Sequence, residues 1–157
     1  MTQPVTACAD DAGIFRVRSS DKAITAFIEL AATRSLTFKR LLALIQGSDG
    51  IVYVEPGQCG HGTRACLQVW MRTSGSNRFL RVLVDRRKSR SDADFMGSIG
   101  HELQHTVEAL SEPATLDSIG LYNFFSRTAL TSNLRFETTA AINAGDAVRD
   151  ELSRRRN

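Results

Sequence analysis

Apolar residues recur at helical spacing through the first third of the chain. Ile24, Phe27, Ile28 and Ala31 follow a Ser20 cap, and Phe38, Leu41, Leu42 and Ile45 repeat the pattern up to Gly47. This predicts one kinked helix or two over residues 21–46. After the turn Gly47-Ser48-Asp49-Gly50, residues 51–55 are β-branched and aromatic and are closed by Pro56-Gly57, as in a strand. The period then becomes two. Leu67, Val69 and Met71 alternate with Gln68 and Trp70, and beyond Ser74-Gly75-Ser76-Asn77 the residues Leu80, Val82 and Val84 alternate with Arg81, Leu83 and Asp85. An antiparallel hairpin is expected.

Helical spacing returns at Phe95, Ile99, Leu103, Val107 and Leu110. Ser91 or Asp92 is the cap, Asp92 and Asp94 lie in the first turn where the helix dipole favours negative charge, and Ser111-Glu112-Pro113 is the stop. A short helix over 116–125 follows, then a last one over 136–152 with Ala140, Ala141, Ala144 and Val148 turned inward. The order predicts an α+β fold, a small mixed or antiparallel sheet flanked by helices. The chain carries no internal repeat or linker, and its 157 residues suit one domain, with 1–19 as an extended N-terminal segment.

Composition changes this picture little. Hydrophobic residues at 42% and charged residues at 24% exclude a disordered chain, and no apolar run approaches the roughly 20 residues that span a bilayer. The net charge of +3 is concentrated in Arg86, Arg87, Lys88 and Arg90 and in Arg154, Arg155 and Arg156. A solvated loop and tail account for it, so a nucleic-acid partner is not expected. The first residues have neither a basic nor an apolar signal region, and Val5-Thr6-Ala7-Cys8 resembles the end of a bacterial lipoprotein signal without its hydrophobic run, either by chance, the favoured reading, or because an upstream segment is missing from this chain. Cys59 and Cys66 bracket Gly60-His61-Gly62-Thr63-Arg64-Ala65 at a spacing that allows a hairpin disulfide or two reduced thiols. A bonded pair would point to an extracytoplasmic location.

The chemistry lies in His101-Glu102-Leu103-Gln104-His105. Residues i and i+4 of a helix project from nearly the same side, so His101 and His105 can converge on one ion. Glu102, turned by about 100° from His101, is poorly placed as a ligand and well placed to act as general base on a water activated by that ion. The five residues match the HExxH signature of the zincin metallopeptidases, which this segment resembles. The resemblance implies a peptidase with one Zn2+ ion and a peptide or protein substrate. It also implies that a strand ahead of the active helix, here residues 80–85, lines the cleft and pairs with extended substrate.

The third ligand distinguishes the branches of that superfamily. Metzincins continue HExxHxxGxxH, whereas Glu108 and Ser111 stand at those positions here. Gluzincins take a glutamate from a later helix, and Glu137 resembles that ligand. Its helical neighbours at i+4, i+7 and i+11 would be Ala141, Ala144 and Val148, and a carboxylate on such an apolar stripe calls for a cation or partner. Glu108, Glu112 and Asp117 are the other candidates. Gly97, Gly100, Ala140, Ala141, Ala144 and Gly145 predict a close approach of the two helices. Tyr122 is the expected catalytic group beside the developing oxyanion, with His61 and Arg135 as alternatives. The competing readings are a non-catalytic zinc-bound domain serving as a binding module or scaffold, and a basic nucleic-acid partner.

Overall fold

The two N-terminal helices are separate. In the computed structural model, which describes residues 15–60, 62–130 and 136–154, Asp21 rather than Ser20 caps the first of them. Its side chain accepts from the Ile24 N–H, and α1 runs Lys22–Arg34. Ser35 is extended and accepts from the Phe38 N–H, so it ends α1 and caps α2, Leu36–Gln46. Ile24, Ile28 and Ala31 of α1 and Phe38, Leu41 and Ile45 of α2 are buried in the core.

Glu151, from the last helix, holds this junction. Its carboxylate accepts from the Thr37 N–H at 3.1 Å, the Thr37 hydroxyl at 2.7 Å and the Ser35 hydroxyl. Burial favours the neutral acid, but the Ser35 and Thr37 donors outweigh it and hold the carboxyl below its ordinary value. Its stabilisation is therefore present above the unfolded carboxyl pKa and lost as pH falls through the lower, folded one. Glu151→Ala is expected to cost about 2 kcal/mol in urea unfolding at pH 7, and the gap from wild type should close in acid below about pH 4.

The strands are β1 Val17–Arg18, β2 Gly50–Pro56, β3 Ala65–Ser74 and β4 Asn77–Val84, in the order β1-β2-β4-β3. β2 runs parallel to β1 and β4, and the expected hairpin of β3 and β4 is antiparallel. Leu80, Val82 and Val84 join the core as the alternation requires, but Val69 does not. The register shifts between Leu67 and Met71, and this bulge leaves Val69 45% exposed.

After a 3-10 turn, Arg86–Lys88, the chain enters α3, Asp92–Leu110, capped by Ser91, whose side chain accepts from the Asp94 N–H. Two cations of the basic loop are paired, Arg86 with Asp92 and Arg87 with Asp85. α4 spans Ser118–Thr128 and α5 spans Thr139–Arg154. Arg78 of β4 is buried and binds Asp49 and the Leu110, Glu112 and Thr115 carbonyls. It fixes the end of α3 to the sheet, a role that the alternation of apolar and polar residues in β4 does not reveal. Among the described residues no helix is long and apolar enough to cross a membrane.

Candidate metal centre

The small residues set the spacing of α3 and α5. A Cβ built on Gly97 would stand 3.0 Å from the Gly145 carbonyl oxygen, one on Gly100 2.9 Å from Val148 Cγ2, and one on Gly145 3.0 Å from His101 Cβ. A larger residue at any of the three would push the helices apart or displace a neighbour, and the close approach brings the histidine turn of α3 against α5.

On that turn the His101 and His105 rings lie 4.9 Å apart, edge to face. His101 Nε2 is 3.1 Å from Glu137 Oε2, and one ligand atom from each of His101, His105 and Glu137 lies within 4.8 Å of the others. Among the described residues these three are the one cluster of three or more His, Cys, Asp or Glu side chains whose ligand atoms come close enough to share an ion. The donor set, two imidazoles and a carboxylate, suits zinc with a coordination position left open.

Glu137 reaches the histidines by a route other than the expected one. α5 starts at Thr139, so Glu137 sits in the segment ahead of the helix and has no place on its buried stripe; Ala140, expected inward, is exposed for the same reason. Phe136 stacks on Phe125, ring centroids 5.5 Å apart, and the Glu137 carbonyl accepts from the Leu130 N–H at 2.7 Å. These tertiary contacts hold the segment ahead of α5 beside α4.

The other acidic candidates stand elsewhere. Glu108 meets the Nδ1 side of His105 at 3.2 Å, Glu112 accepts from the Ala114 N–H, and Asp117 caps α4 by accepting from the Gly120 N–H. With Nδ1 facing Glu108, His105 has Nε2 left for an ion.

Glu102 is buried, 7% exposed, and its Oε2 accepts from the Leu67 N–H of β3 at 2.7 Å. Burial raises its carboxyl pKa, opposed by the charges of His105 and His101 and by the Leu67 N–H. His101 is half-buried, which disfavours its charged form, but the hydrogen bond to Glu137 and the charges of Glu102, Glu137 and Glu108 outweigh this and raise its pKa.

A cavity of about 160 Å³ opens in front of Glu102, His105 and Glu137. Cys66 and Leu67 lie on one wall, Phe125 and Phe136 on another. No known family, curated protein or solved structure matches this chain.

Cys59 and Cys66 pair as a disulfide, Cα atoms 5.9 Å apart, and both line this cleft, a placement their spacing does not disclose. Tyr122, 46% exposed, stands on the rim with its ring against Phe136 and does not line the cavity. His61 and Arg135 lie outside the described residues.

The strand expected to receive substrate is corrected. β4 is flanked by β2 and β3, so both its edges are already paired. The free edge beside the site belongs to β3. Even there, the Ser118 hydroxyl meets the Met71 N–H at 3.1 Å and the Thr73 hydroxyl donates to the Leu116 carbonyl, so α4 covers the far half. Ahead of it lies the bulged stretch between Leu67 and Met71, whose first N–H, that of Leu67, is held by Glu102.

Proposed function

We propose that this protein is a zinc-dependent peptidase. The observation that carries the reading is the convergence of His101, His105 and Glu137 near a buried glutamate, Glu102, with His105, Glu137 and Glu102 all lining one cleft. Zinc held by the three ligands would supply Lewis acidity, polarising a carbonyl and acidifying a water. Glu102 supplies the base. Its Oε2 is occupied by the Leu67 N–H, which leaves Oε1 to accept the proton of the attacking water and return it to the leaving amine. A carboxylate whose pKa burial has raised is better matched to that exchange near neutral pH than an exposed one.

An extended peptide is the substrate the cleft favours, because Leu67, Gln68 and Val69 of the edge strand β3 line it, and beyond the Leu67 N–H, which Glu102 holds, that edge offers backbone pairing. With α4 over the edge from Met71 onward, the paired stretch is short.

Metal analysis of the purified protein is expected to find one zinc per chain and none in the double variant His101→Ala, His105→Ala. A peptide library should be cleaved by wild type and spared by the double variant. Bound zinc with no cleavage would favour the non-catalytic binding module, and absence of zinc from wild type after equilibration with the ion would overturn the reading.

A further inference from the structure

Glu108 faces two elements at once. Its Oε2 lies 3.2 Å from His105 Nδ1, and its Oε1 accepts from the Thr138 hydroxyl at 2.7 Å. Thr138 follows Glu137 in the chain, and its hydroxyl oxygen accepts from the Ala141 N–H at 3.1 Å. One carboxylate thus ties a ligand on α3 to the residue next to the ligand that precedes α5, and both of its oxygens are used in doing so.

We propose that Glu108 and Thr138 are positioning residues, a clamp that assembles the three-ligand site from its two halves without touching the ion. The inference rests on the zinc reading above. Two needs of such a site meet in this contact. A ligand imidazole must present one nitrogen and hold its ring still, and a carboxylate on the other nitrogen does both. A ligand on a connecting segment must be prevented from sampling other conformations, since ordering it at the moment of binding subtracts from affinity. Glu137 is 38% exposed at its side chain and lies two residues ahead of the helix, and the contact at Thr138 adds to the Phe136 stack and the Leu130 hydrogen bond that hold its segment. The Glu108 side chain is only 18% exposed, so water competes little for its hydrogen bonds.

Thr138→Val keeps the side-chain shape and removes the hydroxyl that Glu108 accepts. It should weaken zinc binding about 10- to 100-fold, the range for lost outer partners of a metal ligand, read by competition with a chelator. Thr138→Ser, which restores the hydroxyl, should bind zinc as wild type does. Glu108→Gln offers a second variant of nearly unchanged shape, and it too should weaken binding. Since Thr138→Val also loses a helix cap, Asp21→Ala is the control. It removes the cap of α1 and should lower the melting temperature while leaving zinc affinity unchanged. Cobalt substitution adds a reading of coordination geometry, and its visible spectrum should change in Thr138→Val but not in Asp21→Ala. Wild-type zinc affinity in Thr138→Val, or an equal loss in Asp21→Ala, overturns the clamp alone. A wild-type protein that takes up no zinc overturns the metal reading and the clamp together.

Discussion

Glu102→Gln is expected to keep its zinc and lose its hydrolysis, with cleavage falling about 10²- to 10⁴-fold, the range attributed to a positioned general base. The amide has the shape of the acid, and its oxygen can still accept from the Leu67 N–H, so the buried contact at the start of β3 is retained. Removing a charge from a buried position introduces no desolvation cost, and the fold should be at least as stable as wild type. The ion should stay because the converging ligand atoms come from His101, His105 and Glu137, not from Glu102. Zinc content and peptide cleavage measured on the same preparation separate the two roles. Full cleavage by Glu102→Gln would sink the mechanism, and loss of zinc would place Glu102 among the ligands.

What the sequence discloses about this site follows the range of the interactions involved. His101 and His105 are legible because i and i+4 on a helix are neighbours by local geometry alone. The meeting with Glu137 spans more than thirty residues and is suggested only by family resemblance. A helical stripe does not place Glu137, because Phe136 fits the period of α5 but is taken into a stack with Phe125 and the helix begins three residues later. In β3 the same kind of error turns Val69 outward, since a bulge does not alter the apolar and polar pattern that the eye follows. Strand order is invisible to alternation, and this is why β4 could be mistaken for the strand beside the cleft. The Leu67 N–H that holds Glu102 has no side-chain signature at all. Glu108 was open to a closer reading: at i+3 from His105 it shares that helix face, so it could support the histidine as readily as bind an ion.

Glu137→Ala should lose zinc and the stability that zinc confers, and the two losses should have one cause. At free zinc about 1,000 times the wild-type Kd, a bound ion stabilises the folded state by about 4 kcal/mol, and a variant with affinity lowered a hundredfold keeps only about 1.4 kcal/mol of it. For a domain of this size the difference amounts to about 5–10 °C in melting temperature. The metal-free proteins should differ far less, because the Glu137 side chain is 38% exposed and its pairing with His101 is worth no more than about 1 kcal/mol. The Glu137 carbonyl still accepts from the Leu130 N–H in the variant, so the path of the segment is kept. Melting curves with added zinc and with a chelator therefore test the assignment by their difference. A wide gap between wild type and variant in zinc that nearly closes in chelator identifies Glu137 as a ligand; an equal gap in both makes it a structural group. Stoichiometric zinc at native affinity in Glu137→Ala would return the third position to Glu108, the other acidic side chain in contact with a histidine of the pair.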